Sequence, residues 1–246
     1  MSRRGRTSTR RDSYSRHLHR PLNCLAFILP LLAFFHVGSY YYNSSALFAP
    51  RDIGRVLRYF GATAVYLPAL LVILVLICQH VFRRDRLQVQ PKVLAGMLGE
   101  SIVAAIPLII LCLVSGRFIA HAAGSSQATG NVLQAILRSV GAGLYEEFIF
   151  RLVLISLFVV IFVDIFELQR EPVMLAAVIV SAVCFSLYHF SLDELSHWSS
   201  LPWGLLVFRA LAGVYLGGLF VLRGLGVAVG AHVVFDIYSN IAVVYW

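Results

Sequence analysis

Long apolar runs separated by short polar segments make up most of this chain. A helix needs about 20 consecutive apolar residues to cross a bilayer, and seven runs approach or exceed that length. They lie at 22–42, 56–82, 93–116, about 144–166, 172–190, 203–222 and 225–246. The runs are continuous and do not alternate with polar positions, which favours helices over a transmembrane barrel. The pattern predicts an all-α fold, a multi-pass transmembrane helical bundle with about seven to eight spans.

The segment 131–143 makes the number of spans ambiguous. Its apolar residues recur at helical spacing, while Gln134 and Arg138 lie off that face. This is typical of an amphipathic interfacial or re-entrant helix, here ended by Gly141 and Gly143. The alternative is the first part of one long helix that continues to residue 166.

Three regions follow from this organisation. Residues 1–20 are polar and rich in arginine, which predicts a disordered cytoplasmic tail. Residues 21–130 hold the N-terminal transmembrane spans and end in a small, polar stretch at 117–130. Residues 131–246 form the C-terminal transmembrane core, which carries most of the unusual polar residues.

Composition agrees with a membrane protein and indicates its orientation. The chain is 59% hydrophobic and 13% charged, whereas soluble domains have about 25% charged residues. The net charge of +8 is concentrated at segment ends, which fits the positive-inside rule and not a nucleic-acid partner. The loop 83–92 is basic and the loop 191–202 is acidic, so the N-terminus is expected to be cytoplasmic.

Residue usage adds two weaker indications. Lys92 is the single lysine among the 20 Lys and Arg residues. This usage suggests a GC-rich genome, hence a multi-pass integral protein of a bacterial cell membrane. The four cysteines all lie in apolar segments without CxxC spacing, so they are interpreted as small core residues.

Three charges stand close together inside one apolar span. Glu146, Glu147 and Arg151 interrupt the stretch GLYEEFIFRLVLISLFVVIF, and each charge at the centre of a span costs about 2.5–3.5 kcal/mol. Glu147 and Arg151 are i, i+4 neighbours that can pair. Glu146 is rotated by about 100° and is free to face a cavity as a general base. The alternative is a packing salt bridge with a spare glutamate.

Two later spans also carry polar residues. His189 closes the span that contains Phe185 one turn earlier, and His232 and Asp236 share one face of the last span. A His and Asp pair can orient an imidazole, bind a metal or stabilise an oxyanion. A satisfied histidine and a structural His–Asp hydrogen bond are the alternatives.

The order of these motifs resembles one protein family. EExxxR, FxxxH and HxxxD follow one another on separate apolar spans, as in the CPBP family of intramembrane proteases, related to type II CAAX prenyl proteases and to bacteriocin-processing or self-immunity proteins. The matching residues are Glu146, Glu147, Arg151, Phe185, His189, His232 and Asp236. The resemblance covers roughly residues 131–246.

The resemblance implies a role for each matched residue. Glu146 and His189 would activate a water molecule for attack on a peptide carbonyl, and His232 with Asp236 would stabilise the oxyanion. Glu147 and Arg151 would support the site. Family members have Asn or Asp at the last position, and the prenyl-processing members resemble the Asn form. An ionised Asp236 cannot donate a hydrogen bond, so it would have to be protonated or act by orienting His232.

The metal requirement stays open at this point. Glu146, His189 and His232 are the candidate ligands of a divalent metal such as zinc, with an open position for water. However, the HExxH signature is absent, which favours a glutamate mechanism without a certain cofactor.

The leading hypothesis is therefore an intramembrane endopeptidase that acts on CAAX-type or leader peptides. Its expected partners are a peptide or membrane-protein substrate and the lipid bilayer. A non-catalytic scaffold or self-immunity protein on the same fold is the main alternative. A transporter with a proton relay is a further one, but the inverted repeats typical of transporters are not visible.

The predicted depth of His232 in the membrane differs from that of Glu146 and His189. With simple antiparallel spans it lies about 10–20 Å from the level of Glu146 and His189. A loop or broken helix at 223–230 would move His232 towards them. Alternatively, the segment 131–143 crosses or re-enters the membrane.

Overall fold

Helices make up all the regular secondary structure in the residues that the structure describes. The computed structural model describes residues 14–15, 17–42, 67–84, 87–116, 132–197 and 201–245, the last five by backbone alone. The helices are α1 (Pro21–Tyr42), α2 (Leu67–Arg83), α3 (Pro91–Val114), α4 (Val132–Ile165), α5 (Arg170–Tyr188), α6 (Leu192–Ser196), α7 (Trp203–Arg223) and α8 (Leu225–Tyr245). The predicted all-α multi-pass bundle is confirmed.

Length and hydropathy divide the described helices into three kinds. Five of them, α1, α3, α4, α5 and α7, are long and apolar enough to cross a membrane. Helix α2 is apolar but shorter, and the predicted start of its span at 56–66 lies outside the described residues. Helix α8 is the innermost element, because nearly all residues from Leu225 to Val233 are buried. Together they account for the seven predicted spans.

The core helices run in alternating directions. The Ser181 hydroxyl of α5 donates to the Phe150 carbonyl of α4 at 2.6 Å, which holds two antiparallel helices together. Helix α7 packs antiparallel to α5, with Gly213 against Ala182. Helix α8 packs against α3 and against the first half of α4. Consequently the first half of α4 faces α8, and its second half faces α5.

Helix α4 differs from the favoured interpretation of the segment 131–143. It is one continuous helix of 34 residues from Val132 to Ile165, so the amphipathic segment does not end at Gly141 and Gly143. A side chain at Gly143 would overlap Val233 of α8. The glycine therefore permits close packing of two helices, which is typical of membrane proteins, and does not act as a terminator.

The winding of α4 changes immediately after its glutamate pair. The helix is π-helical from Phe148 to Ile155 and again from Val160 to Ile165. Hydrogen bonds from i to i+5 widen the turn, and such segments are frequent at functional sites. The sequence pattern predicts uniform winding at 3.6 residues per turn, so the wider turns are a difference from that expectation.

The connection between α7 and α8 is also shorter than expected. Gly224 alone separates the two helices and has a φ of 85°, a conformation that favours glycine. The stretch 225–230 is helical, so His232 is not brought towards Glu146 by a loop or broken helix at 223–230. Because α8 is buried, its backbone N–H and C=O groups are best satisfied by the hydrogen bonds of a helix.

The end of the predicted tail packs onto this turn. Most of residues 1–20 lie outside the described part of the chain, but Leu18 is fully buried. The His19 ring nitrogen Nε2 lies 3.3 Å from the Leu222 carbonyl oxygen. The tail is therefore attached to the C-terminal core at this point.

Candidate active site

Four helices bring the polar residues to one level of the bundle. Glu146 lies 14 residues after the start of α4, about 21 Å along it, where α5 ends at Tyr188. His189 is the residue that caps α5. Because α4 begins at Val132 and not at residue 144, Glu146 lies deep in the bundle and level with His232. The early start of α4 therefore removes the expected offset in depth.

A buried ion pair lies at the base of this group. Glu147 Oε1 and Arg151 NH1 are 3.1 Å apart, and both side chains are 0% exposed. The guanidinium lies 4.4 Å from the centroid of the Phe185 ring, and its NH2 donates to the Gly213 carbonyl at 3.4 Å. Arg151 thus joins α4, α5 and α7, and the aromatic ring compensates part of its charge.

Glu146 and His189 face each other above the ion pair. Glu146 Oε2 lies 3.6 Å from His189 Nε2. His189 Nδ1 lies 2.8 Å from the Phe185 carbonyl oxygen, which can only accept, so Nδ1 carries a proton. In the neutral imidazole Nε2 is then an acceptor directed towards Glu146. The separation is longer than a direct hydrogen bond and fits a bridging water molecule.

His232 is surrounded by three carboxylates. Its Nδ1 donates to Glu147 Oε1 at 2.7 Å. Its Nε2 lies 3.5 Å from Asp236 Oδ2 and 3.9 Å from Glu146 Oε2. Glu147 therefore bridges Arg151 and His232, and it orients the imidazole so that Nε2 faces the same space as Glu146.

His189 and Asp236 form the solvent-accessible side of this polar group. The His189 side chain is 24% exposed and that of Asp236 is 20% exposed, whereas His232 is 6% exposed. The group therefore opens towards the ends of α5 and α8 and is closed on the side of Arg151.

The same part of the chain matches a known family. One family model matches, described as type II CAAX prenyl endopeptidase Rce1-like, over residues 128–238. Residues 128–238, here named the Rce1-like domain after the model that they match, make up less than half of the chain. The match confirms the resemblance to the CPBP family. No curated protein and no solved structure matches the chain.

The Rce1-like domain contains every polar residue of the site. It includes α4, α5 and α7 and reaches into α8, which carries the HxxxD pair. The family is one of membrane proteases, and five apolar helices in the described residues are long enough to span a bilayer. The chain is therefore an integral membrane protein, and its C-terminal part is similar to membrane proteases.

Sequence reasoning missed Arg209 near the opening of the Rce1-like domain. Its guanidinium lies 5.3 Å from the centroid of the Phe190 ring and in electrostatic range of Glu146 and Glu194. Arg209 forms no ion pair with any Asp or Glu among the described residues. The sequence shows Arg209 as a charge inside the apolar run 203–222, and charged residues in such runs are candidates for a functional role.

Glu146, His189 and His232 are the candidate ligands of a metal ion. Within residues 132–197 and 201–240, and in the other described segments, no group of three or more His, Cys, Asp or Glu side chains is arranged to hold a metal ion. His189 and His232 each have Nδ1 held by an oxygen, as metal ligands often do, but Glu146 is shared between them at 3.6 and 3.9 Å. The described residues therefore assign no metal to this site.

A separate cavity lies on the other side of the Arg151 layer. It has a volume of about 950 Å³, and its walls come from α1, α2, α4, α5 and α7 and from the turn at Gly224. Its inner end is lined by Leu152 and Val214, the residues that follow Arg151 and Gly213. The polar site and this cavity therefore lie on opposite sides of one buried layer.

Proposed function

We propose that this protein is an intramembrane endopeptidase in which Glu146 is the general base. The proposal rests on one observation: Glu146 Oε2 lies within 3.6 Å of His189 Nε2 and 3.9 Å of His232 Nε2, although the three residues come from three helices. Burial of such groups in a membrane is costly. A hydrolytic site explains why they are gathered at one accessible point.

The reaction follows from the roles that these atoms can take. Water held between Glu146 and His189 attacks the carbonyl carbon of the substrate and forms a C–O bond, while Glu146 accepts the proton. The resulting oxyanion accepts a hydrogen bond from His232 Nε2. Glu146 then gives the proton to the leaving amine as the C–N bond breaks.

His232 can serve the oxyanion only in one protonation state. Nδ1 already donates to Glu147, so donation from Nε2 requires the imidazolium form. The carboxylates of Glu147 and Asp236, at 2.7 and 3.5 Å, compensate the charge of that form. Asp236 therefore acts by supporting His232 and does not itself have to donate to the oxyanion.

Substitution of Glu146 tests the mechanism. Glu146→Gln keeps the size of the side chain but removes the base, and we expect cleavage to fall by about 10²–10⁴-fold, the usual contribution of general acid–base catalysis. Glu171→Gln is the matched control, because Glu171 is an exposed glutamate at the far end of α5. Both variants are compared by peptide cleavage in the same detergent. Full activity in a folded Glu146→Gln protein would exclude Glu146 as the base, whereas absence of cleavage by the folded wild type would favour the scaffold alternative.

We further propose a peptide with a free C-terminus as substrate, of the CAAX type. Arg209 supports this choice, because it is a cation at the opening without an ion-pair partner among the described carboxylates. A guanidinium binds a carboxylate through two parallel hydrogen bonds. A leader peptide cleaved far from its end offers no such group.

Matched peptides distinguish the two substrate classes. We expect the free acid to be cleaved with a kcat/KM about 10-fold or more above that of the C-terminal amide, and Arg209→Gln to remove this difference. Equal cleavage of acid and amide by the wild type would exclude carboxylate recognition, whereas the base role of Glu146 would stand.

A further inference from the structure

The 950 Å³ cavity has apolar walls and one basic end. Its walls contain Leu76 of α2, Ile155 of α4 and Met174 and Val178 of α5. In a membrane such walls disfavour water, because few groups there can hydrogen-bond to it. The volume is near the upper end of the range for small-molecule sites, about 300–1,000 Å³.

The cavity is open sideways and not sealed by the bundle. Leu175 and Leu222 line it and are 64% and 69% exposed. Leu175 lies on an apolar helix and Leu222 lies beside His19 at the end of α7, so the open side extends from the hydrocarbon of the bilayer to its surface. The cavity is therefore a lateral groove that lipid can enter directly.

The basic end lies where the helices reach the membrane surface. Arg83 is in the last turn of α2 and Arg170 is the first residue of α5, and both line the groove with His19. Arg83 NH1 donates to the His19 carbonyl at 2.9 Å, which fixes the guanidinium at the rim. Glu171 lines the same end, so two arginines and one glutamate leave a net charge of +1.

The length of the groove suits an acyl chain attached to that end. Leu76 lies seven residues from Arg83, and Val178 lies eight residues from Arg170. At 1.5 Å per residue the groove runs about 10–12 Å from the surface towards the membrane centre. A headgroup at the arginines therefore places a hydrocarbon chain along the apolar walls.

We propose that this groove binds one anionic phospholipid, with its phosphate between Arg83 and Arg170 and an acyl chain along the apolar walls. Basic pockets between membrane helices recognise anionic headgroups in this way. Guanidinium groups pair with phosphate through parallel hydrogen bonds. A zwitterionic lipid adds a cation to an end that is already positive, so the anionic lipid is preferred. The bound chain would reach Leu152 and Val214, next to the layer that holds Arg151.

Native mass spectrometry of the full chain tests the headgroup preference. The protein is released from micelles that contain phosphatidylglycerol and phosphatidylcholine with identical acyl chains. We expect one retained phosphatidylglycerol, and about a thirtyfold loss of its affinity in Arg83→Gln/Arg170→Gln, because each arginine contributes about fivefold near an anionic headgroup. Arg138→Gln is the control, since Arg138 is an exposed arginine in the first half of α4, outside the groove.

Two further arms test the apolar part of the site. Leu175→Phe should narrow the groove and reduce retention of both lipids, and the exposure of this side chain keeps the risk of misfolding low. Soluble glycerol phosphate, which has the headgroup charge without acyl chains, should not displace the lipid. Equal retention of the two lipids by the wild type would overturn the proposal, as would unchanged phosphatidylglycerol retention in a folded double-arginine variant.

Discussion

Replacement of Arg151 by methionine should strongly destabilise the protein. Arg151 and Glu147 are both 0% exposed, and removal of one partner from a buried pair costs about 3–5 kcal/mol because the other charge stays buried. In Arg151→Met, Glu147 keeps only the hydrogen bond from His232. The Gly213 carbonyl also loses its contact with the guanidinium. We therefore expect the free energy of unfolding to fall by about 3–5 kcal/mol.

The double variant separates the ion pair from simple loss of packing. Arg151 Nε and NH1 and Glu147 Oε2 have no hydrogen-bond partner among the described residues, so NH1 and Oε1 form an ion pair without hydrogen-bond geometry. The free-energy cost of removing both charges from water is therefore only partly compensated by their attraction. In Glu147→Gln/Arg151→Met both charges are gone, while Gln can still accept from His232. We expect the double variant to lose about 1–3 kcal/mol less than the sum of the single variants.

Equilibrium unfolding in mixed micelles, followed by tryptophan fluorescence, measures these changes. The control is Arg223→Met, because Arg223 and Glu100 are 3.6 Å apart but 37% and 28% exposed. Exposed pairs contribute about 0–1 kcal/mol, so this variant should stay close to the wild type. Additive single effects, or an Arg151→Met variant as stable as Arg223→Met, would refute the reasoning.

Three other predictions concern helix packing and metal. Gly213→Ala should cost about 1–3 kcal/mol by overpacking, since its Cβ would lie 2.9 Å from the Ala182 backbone, whereas Gly218→Ala has open space and should be neutral in the same unfolding assay. Ser181→Ala should cost about 0.5–1.5 kcal/mol, because it removes the 2.6 Å hydrogen bond to Phe150, and thermal unfolding measures it. Prolonged dialysis against a chelator should leave peptide cleavage unchanged, and activity that is lost and then restored by zinc would contradict the glutamate mechanism.

The sequence predicted the spans and the polar groups for physical reasons that act locally. Long apolar runs must form helices in a membrane, and charges within them stand out because they are costly. The Glu147 and Arg151 pair follows from helical spacing alone. These features depend on residues near one another in the chain, so they could be read without a structure.

Features that depend on distant residues could not be predicted in the same way. Gly141 and Gly143 suggested the end of a helix, but Gly143 serves contact with Val233, 90 residues later. This close contact lets α4 continue through Gly143 as one helix that begins at Val132. Glu146 therefore lies deep in the bundle and not near the start of the helix. Arg209 was overlooked because it matches no motif, and its meaning comes only from its position beside Phe190.

The single-residue connection at Gly224 makes the site sensitive to chain length. His232 lies eight residues after Gly224, and no loop absorbs a change in register between α7 and α8. One inserted residue would turn the start of α8 by about 100° and shift it by about 1.5 Å relative to α7. The imidazole would then no longer meet Glu147. Insertions and deletions at this turn are thus expected to be excluded more strictly than most substitutions, because this short connection also sets the alignment of the candidate catalytic groups.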